Sequence, residues 1–592
     1  MHQETVNGIV ILVALGAASQ WVAWRLKIPS ILVLLATGFV AGPVTGWFEP
    51  DAVLGSLTFP FVSLAAAIVL FEGGLTASWD EIRGVATPVR RLIVIGIPVT
   101  WGTLSLAAYL LLGLSIELSL LLGAILVVTG PTVIGPLLRH ARPQGSVASV
   151  LKLEGIINDP LGAILAVLVF QGIKAEEAEA AFSVISLGVL KAAAISAVLG
   201  YGAAFIFVKF RERDLLPAFL HNAVVLPFAL VVYAAANHVQ EESGLLAVTI
   251  MGIVLASQKK VDMEQSLEFT EHARILLISM LFILLTARMQ ISDITGLPLA
   301  ALGFIGVVIF LARPLSVGVS TFRSGLTNKE RAFIGAMAPR GVVAAAVSSL
   351  FALELVDSGH PEASLLMPMT FAVIASTVLV SGLSAVPLVR WLGLGQTEPQ
   401  GVLVLGADRV GRAFAAALAE QGIQVLVIDS DGIKVNEARK LSLPAKKGEV
   451  LSRRVLRDLD LDGIGHFVAT TPNDDVNTLA VAHFRRLFGD ANVHQVRPST
   501  KLGRPLPEYA GALQAPPIAA GATLDQLDAL LKSGGRTASL ELDGSQTLKS
   551  IHEKFGPDAT PLFAVSDEDK ITLIHAEEEL PAEGTLVILA PP

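Results

Sequence analysis

The sequence predicts a polytopic α-helical membrane domain of thirteen transmembrane helices followed by a soluble α/β domain and a small β-rich domain. Three observations carry this. Of 592 residues, 53% are hydrophobic, too many for a globular enzyme of this length. Apolar stretches long enough to cross a bilayer, which takes roughly 20 helical residues, recur as far as residue 390 and then stop. Charge is also unevenly shared: residues 396–592 hold 20 Lys and Arg against 27 Asp and Glu, an acidic balance that argues against a nucleic-acid partner.

In order, the apolar stretches are 6–24, 28–47, 57–75, 92–113, 118–138, 146–171, 182–208, 216–237, 243–257, 269–288, 297–322, 332–353 and 365–390. Loops after odd-numbered stretches carry fifteen basic residues, among them Arg90, Arg91, Arg211 and Arg213, whereas loops after even-numbered ones carry only Lys174 and Arg288. Cytoplasmic loops concentrate Lys and Arg, so the N-terminus is placed outside and the C-terminus in the cytoplasm of a cytoplasmic (inner) membrane. The N-terminus has no basic region before its apolar run and reads as a first span, not a signal peptide. With no Cys, disulfides and thiolate metal sites are excluded.

Polar residues interrupt three spans. The sixth contains Glu154, Asn158, Asp159 and Pro160. Glu154 and Asn158 are four apart and share a helix face, and Gly155 and Asp159 share the next. An ionisable residue at bilayer depth is costly and marks a functional site by default. Pro160 withholds an N–H from Ile156, and the freed carbonyl must face protein or a wet cavity. The fifth span is broken at Thr129-Gly130-Pro131 and the twelfth at Pro339-Arg340-Gly341. Paired interruptions point to a transporter's midplane site, where half-helix ends supply partial charges and free backbone groups.

Four motifs in order, Phe71-Glu72-Gly73-Gly74-Leu75, Thr129-Gly130-Pro131, Asn158-Asp159 and Pro339-Arg340-Gly341, resemble the sodium/proton exchanger family, and more narrowly its monovalent cation/proton antiporters with an Asn-Asp pair. The resemblance covers about residues 5–392. It implies inverted repeats, two broken crossing helices, a homodimer and alternating access by a mobile core. By position it makes Asp159 the residue that binds H⁺ or the metal ion, Na⁺ or K⁺, with Asn158 and Thr129 beside it. It pairs Glu154 with Arg340, because two buried charges are each expensive alone, and it sets Glu72 along the access path. Many relatives carry Asp after the Thr and Ser after the Glu; Gly130 and Gly155 here remove those oxygens and leave room for K⁺ or more water. With one exchanging carboxylate, the expected exchange is one cation for one proton, without a cofactor for transport and without enzymatic chemistry. Among other charges, Lys152 and His272 read as helix ends at the cytoplasmic face, Lys191 as a snorkelling side chain, and Arg313 as a partner for carbonyls freed by Pro314.

After a short linker, residues 402–405 form a continuous apolar run suited to a buried parallel strand. A turn, Gly406-Ala407-Asp408-Arg409-Val410-Gly411, leads into a helix, and a second strand ends at Asp429, 23 residues after Gly406. This pattern is Rossmann-like, with an acid placed to bind a ribose. Asp408 replaces the second Gly of G-x-G-x-x-G and repels a pyrophosphate, so NAD(H), AMP or ATP, and an empty fold all remain open. Residues 400–500 resemble a regulator-of-potassium-conductance (TrkA-N-like) domain, with Thr470, Thr471, Asn473 and Asp474 in the loop after its fourth strand. The expected nucleotide-binding residues are Gly406, Asp408, Arg409, Gly411, Asp429 and Thr470. Residues 501–536 read as a linker with one helix near 523–532, and 537–592 as a small regulatory domain of strands. The alternative to an antiporter is a potassium channel or uptake subunit gated by the same cytoplasmic domain. It lacks a filter loop of the Thr-Val-Gly type. A membrane-anchored oxidoreductase lacks an intact glycine fingerprint.

Overall fold

The structure is a computed structural model that describes residues 2–592 except 27, 78, 142, 144–145, 175–177, 259, 396–398, 453–458, 460, 462, 498–514, 567–569 and 576–579. The basic residues Lys27, Arg142 and Lys259 and residues 501–514 of the expected linker therefore lie outside the described residues. The chain forms two compact units, Met1–Gly395 and Gln396–Pro592.

The first unit is helical throughout: α1 (His2–Leu26), α2 (Ser30–Phe39), α3 (Pro50–Leu54), α4 (Thr58–Thr76), α5 (Trp79–Arg91), α6 (Ile97–Ala107), α7 (Ile116–Ile125), α8 (Pro131–Ala141), α9 (Val147–Ile173), α10 (Ala178–Glu212), α11 (His221–Val239), α12 (Ser243–Ser257), α13 (Glu264–Ala287), α14 (Ile291–Thr295), α15 (Ala300–Val307), α16 (Arg313–Ser320), α17 (Asn328–Ala336), α18 (Val342–Asp357) and α19 (Leu366–Trp391). Each of the thirteen apolar stretches meets one helix, a run of helical turns or a pair of half-helices. Among the described residues, nine helices are long and apolar enough to cross a membrane, and nine is the number that length and composition alone support.

The helices differ in what they face. In α9, 78% of the most apolar window is buried, against 28% in α1, α10 and α11. A helix that is apolar all round and exposed on most sides belongs against lipid; α9 is instead wrapped by protein, and that is where its polar residues are tolerable. Pro160 lies inside α9 without ending it.

Both predicted breaks are present. The chain leaves helical geometry between α7 and α8 and again between α17 and α18. The two extended segments meet, Thr129 and Arg340 forming an isolated antiparallel bridge. Glycine makes this possible: a Cβ on Gly130 would collide with the backbone of Gly341, and one on Gly341 with Gly130. Helix α9 lies against the first break in the same way, since a Cβ on Gly155 would stand 3.3 Å from Pro131 N and one on Gly162 would strike Val128.

The second unit opens with a parallel sheet of order β3-β2-β1-β4-β5, formed by β1 (Gly401–Leu405), β2 (Val425–Asp429), β3 (Ala445–Lys447), β4 (Ile464–Ala469) and β5 (Val493–Gln495). Helices α20 (Arg409–Glu420), α21 (Gly432–Lys440) and α22 (Asp474–Phe488) connect the strands. Val402 and Val404 join one core cluster, and Leu403 and Leu405 another, so β1 is covered on both faces. That is the physical reason its sequence is apolar without alternation. An antiparallel sheet of order β6-β9-β7-β8 follows, from β6 (Arg536–Asp543), β7 (Thr560–Val565), β8 (Ile571–Leu573) and β9 (Glu583–Ala590), with α23 (Leu524–Lys532) before β6 and α24 (Leu548–Phe555) after it.

The described part of the expected linker is a correction. Ile518, Ala519 and Leu527 are buried in one cluster with Val402, Phe414, Phe563 and Val587, and Ile518 N donates to Gln495 O at 3.0 Å. Residues 515–532 therefore knit the two sheets together. Their Pro, Gly and Ala content suggested a linker because small residues are as suitable for close packing as for loops.

Candidate functional site

Helix α9 carries the site, and the two breaks close over it. Asn158 turns its amide nitrogen to the first break, donating to Val127 O at 3.1 Å and to Thr129 Oγ1 at 2.8 Å. Arg340 reaches the same carbonyl from the second break, Nη1 to Val127 O at 3.1 Å, and its own N–H donates to Thr377 Oγ1 at 3.2 Å. One carbonyl freed at the first break thus ties α9 and the second break together.

Asp159 is 2% exposed, and its Oδ1 accepts no hydrogen bond. Asn158 Oδ1 and Thr132 Oγ1 are likewise buried and without a hydrogen bond. Burying an oxygen without a partner costs about 1–3 kcal/mol, and more for a charged group. A carboxylate left so at bilayer depth is stable when a proton or a cation neutralises it.

The expected Glu154–Arg340 pair is corrected. Glu154 gives both oxygens to Arg313, with Nη1 on Oε1 and Nη2 on Oε2 at 2.7 Å. Arg313 Nε also donates to Ile334 O and Met337 O, both at 3.2 Å, at the C-terminal end of α17. An arginine fork satisfies a carboxylate in two bonds, and Arg313 lies where one fork serves both Glu154 and the carbonyls released by the second break. Arg340 keeps Nε and Nη2 without hydrogen-bond partners. The sequence contained a hint in Arg313-Pro314, which located Arg313 near freed carbonyls but not near an acid.

Glu72, expected along an access path, is 4% exposed and lies 3.0 Å from Arg274 Nε, with Glu271 3.4 Å from Arg274 Nη2. The structure makes it a member of a buried ion pair between α4 and α13. Lys152 pairs with Glu81 at 2.9 Å, His272 is exposed and contacts Glu268 O, and Lys191 is exposed on α10.

In the second unit, the turn after β1 needs Gly406, whose φ is +113°. Asp408 caps α20, accepting from Gly411 N at 2.9 Å. Asp429 accepts from Ala407 N and from Asp431 N, each at 2.8 Å. Thr470 donates to Leu405 O at 2.9 Å, and Arg409 lies 3.8 Å from Asp528. The six expected nucleotide residues are therefore grouped around one turn, where Asp408, Asp429 and Thr470 bond the chain itself and Arg409 stays half exposed. Burial holds the Asp408 carboxyl above the usual carboxylate range, and the Gly411 amide and Lys434 only partly offset this. Two amides of the turn, Ala407 N and Gly411 N, are already bonded to carboxylates, and the α20 N-terminus, where an anion would be favoured, carries the Asp408 carboxylate.

A buried intramembrane carboxylate with one oxygen left without a hydrogen bond, set where two broken helices cross, points to an ion-coupled secondary transporter. The chain belongs to the sodium/hydrogen exchanger family, whose transmembrane family model matches residues 10–391, and a TrkA-N domain matches residues 402–504. It is 30% identical over 405 residues, 67% of this chain and 68% of the relative, to a protein named K(+)/H(+) antiporter NhaP from Alkalimonas amylolytica. It is 27% identical over 396 residues, 63% of this chain and 90% of the relative, to a probable Na(+)/H(+) antiporter 2 from Methanocaldococcus jannaschii. The solved sodium proton antiporter MjNhaP1 from Methanocaldococcus jannaschii shares the fold, with a TM-score of 0.58 and 24% identity over 66% of this chain and 98% of that one.

Proposed function

We propose that the chain exchanges a monovalent cation, K⁺ or Na⁺, for H⁺ across the cytoplasmic membrane, with Asp159 binding either ligand. The observation that carries the proposal is the contrast within α9. Glu154 is neutralised by Arg313, whereas Asp159, just over one turn away, has an oxygen with no hydrogen-bond partner. Proton and cation compete for that one carboxylate, so each cycle moves one of each and the exchange is electroneutral. Asn158 and Thr129 hold the first break against α9, and Arg340 holds the second. A rigid crossing of this kind moves as one body, which suits alternating access.

The thirteen-crossing arrangement, with the N-terminus outside and the C-terminus in the cytoplasm, follows from the fifteen basic residues in odd loops against two in even ones. The antiporter assembles as a homodimer in the inner membrane, and its cytoplasmic TrkA-N domain is regulatory. An adenine nucleotide reaches the turn after β1 only by displacing Asp408 or Asp429 from the amides they hold. The antiporter reading is favoured over a channel because the family match covers the whole membrane unit. The test is cation-for-proton exchange in proteoliposomes: Asp159→Asn, which keeps the volume and removes the charge, is expected to abolish it. Exchange that survives in Asp159→Asn refutes the assignment, and a wild-type rate that responds to an imposed membrane potential refutes the stoichiometry.

A further inference from the structure

We infer that the Thr132 hydroxyl is a ligand of the transported cation and sets its apparent affinity. The inference rests on the reading of Asp159 as the exchange site. It starts from a hydroxyl in the wrong place for its usual bond. A buried Thr in a helix donates to the carbonyl four residues back, as Thr103 does to Val99 at 2.7 Å, Thr249 to Leu245 at 2.7 Å and Thr286 to Phe282 at 2.6 Å. Thr132 is the second residue of α8, so the residue four back is Val128, in the break itself. No helical carbonyl lies beneath its hydroxyl, and Thr132, 7% exposed, is left without a hydrogen bond at Oγ1.

Its position gives that unused oxygen a purpose. A Cβ placed on Gly130 would stand 3.1 Å from Thr132 Oγ1, and a Cβ placed on Gly341 would stand 3.2 Å from Asp159 Oδ1. Those two glycines touch each other, so the hydroxyl from α8 and the carboxylate from α9 border one contact between the breaks. Asn158 Oδ1, next to Asp159 in the chain, is the third buried oxygen there without a partner. Thr129 Oγ1 already accepts from Asn158, which leaves it one lone pair, whereas Thr132 Oγ1 has no hydrogen bond and both lone pairs to offer. A monovalent alkali cation sheds water only in exchange for several oxygens, and oxygens suit these hard cations. A hydroxyl adds an oxygen without adding charge, so it strengthens cation binding while leaving the one-for-one charge balance on Asp159. It adds nothing comparable to proton binding, which needs the carboxylate alone.

The experiment measures apparent KM for Na⁺, K⁺ and Li⁺ and the maximal exchange rate of the full-length chain in proteoliposomes. Thr132→Val, which keeps the shape and removes the oxygen, is expected to raise the apparent KM of the transported cation about tenfold, the equivalent of losing one ligand bond, with the maximal rate within about twofold of wild type. Thr132→Ser restores the oxygen and is expected to restore the KM. Thr132→Ala serves as a second oxygen-free variant if the Val protein is poorly folded, and Thr370→Val, which removes an equally buried and unpartnered hydroxyl on α19, is the control for general loss of a hydroxyl. Wild-type KM for all three cations in both oxygen-free variants overturns the inference, as does a defect that Ser fails to rescue. If Asp159→Asn is inactive while Thr132→Val binds as wild type, only this inference falls; if Asp159→Asn still exchanges, the site assignment beneath it falls.

Discussion

Acidic side chains in the two units are treated in opposite ways. Asp159 is buried between two broken helices with an oxygen that nothing in the protein satisfies. Asp408 and Asp429, at a helix N-terminus and a strand end, hold three backbone amides between them at 2.8–2.9 Å. A carboxylate bonded to amides of its own fold gives them up only at a cost, so it is suited to holding a turn in shape. A carboxylate with an oxygen left unbonded has a place for a transient ligand. Glu154 sharpens the lesson, because it shares α9 with Asp159 and has both oxygens held by Arg313. On the proposed reading, depth in the membrane alone does not make an acid an exchanger; an oxygen without a standing partner does.

The largest expected effect follows from Asp159. On the proposed reading, replacing it by Asn removes the group that proton and cation would share, and exchange is expected to vanish while the protein keeps a near-wild-type melting temperature in detergent. A protein that loses its fold along with exchange would mean that Asp159, too, has a structural role, and the contrast with Glu154 would collapse.

Next in size is the pairing itself. Arg313→Ala leaves Glu154 buried and unpaired and strips two carbonyls of α17, a loss of about 3–5 kcal/mol. Arg340→Ala removes one side-chain bond to Val127 O, a loss of about 1–2 kcal/mol. The measurement is the unfolding midpoint of both variants in the same mild detergent. The reverse ranking would restore the pairing of Glu154 with Arg340.

How much of this was legible in the sequence depended on whether a feature is local. Gly130-Pro131 and Pro339-Arg340-Gly341 announced the breaks because Gly and Pro weaken a helix wherever they stand, and β1 announced its burial by an unbroken apolar run. Asn158 and Asp159 were singled out by the cost of polar groups at depth. The choice between Arg313 and Arg340 as the partner of Glu154 was not legible, because both lie near Pro in late spans and only the crossing of α9 with α17 decides between them. The partner of Glu72 was not legible for the same reason, since Arg274 lies about two hundred residues away on α13. Thr132 escaped notice because an isolated Thr is unremarkable until its missing carbonyl is seen. Of residues 515–532 only the helix near 523–532 was legible, and their burial between two sheets is a tertiary fact.

A smaller effect concerns His494, a strongly displaced histidine of the second unit. His494 is 5% exposed on β5, its ring 5.1 Å from that of His575 and 6.3 Å from that of His466, and its Nδ1 has no hydrogen bond. Burial, with the two neighbouring imidazoles, pushes it down to about 3, against about 6.5 in an unfolded chain. Above pH 6.5 both states are neutral and there is no contribution. Between about 6.5 and 3 the unfolded chain binds a proton that the folded one refuses, so stability falls as pH falls through that window. At pH 5 the loss is about 2 kcal/mol. Hydrogen exchange of the β4 and β5 amides in the full-length chain, compared at pH 7 and 5 after correction for intrinsic rates, is expected to report it. His494→Leu should flatten the dependence, and equal slopes in both proteins would rule the histidine out.

The smallest expected effect tests the side of the comparison that lies in the second unit. Asp408→Gly converts the turn after β1 into a complete glycine fingerprint and releases Gly411 N from its cap. Gly is a tolerable N-cap, so the stability cost is only about 0.5 kcal/mol. Removing the carboxylate also removes its repulsion of phosphate and opens the N-terminus of α20, where anions are favoured. If Asp408 is what keeps the turn closed, the full-length Asp408→Gly protein should bind NADH at least tenfold more tightly than wild type, read by the change in NADH fluorescence. If binding does not improve, the bond from Ala407 N to Asp429 is sufficient to close the turn by itself. Asp429→Asn in the same background then separates the two, because an amide accepts that bond more weakly than a carboxylate does. A wild-type chain that already binds NADH tightly would show that these carboxylates yield their amides easily, and the distinction drawn between them and Asp159 would fail.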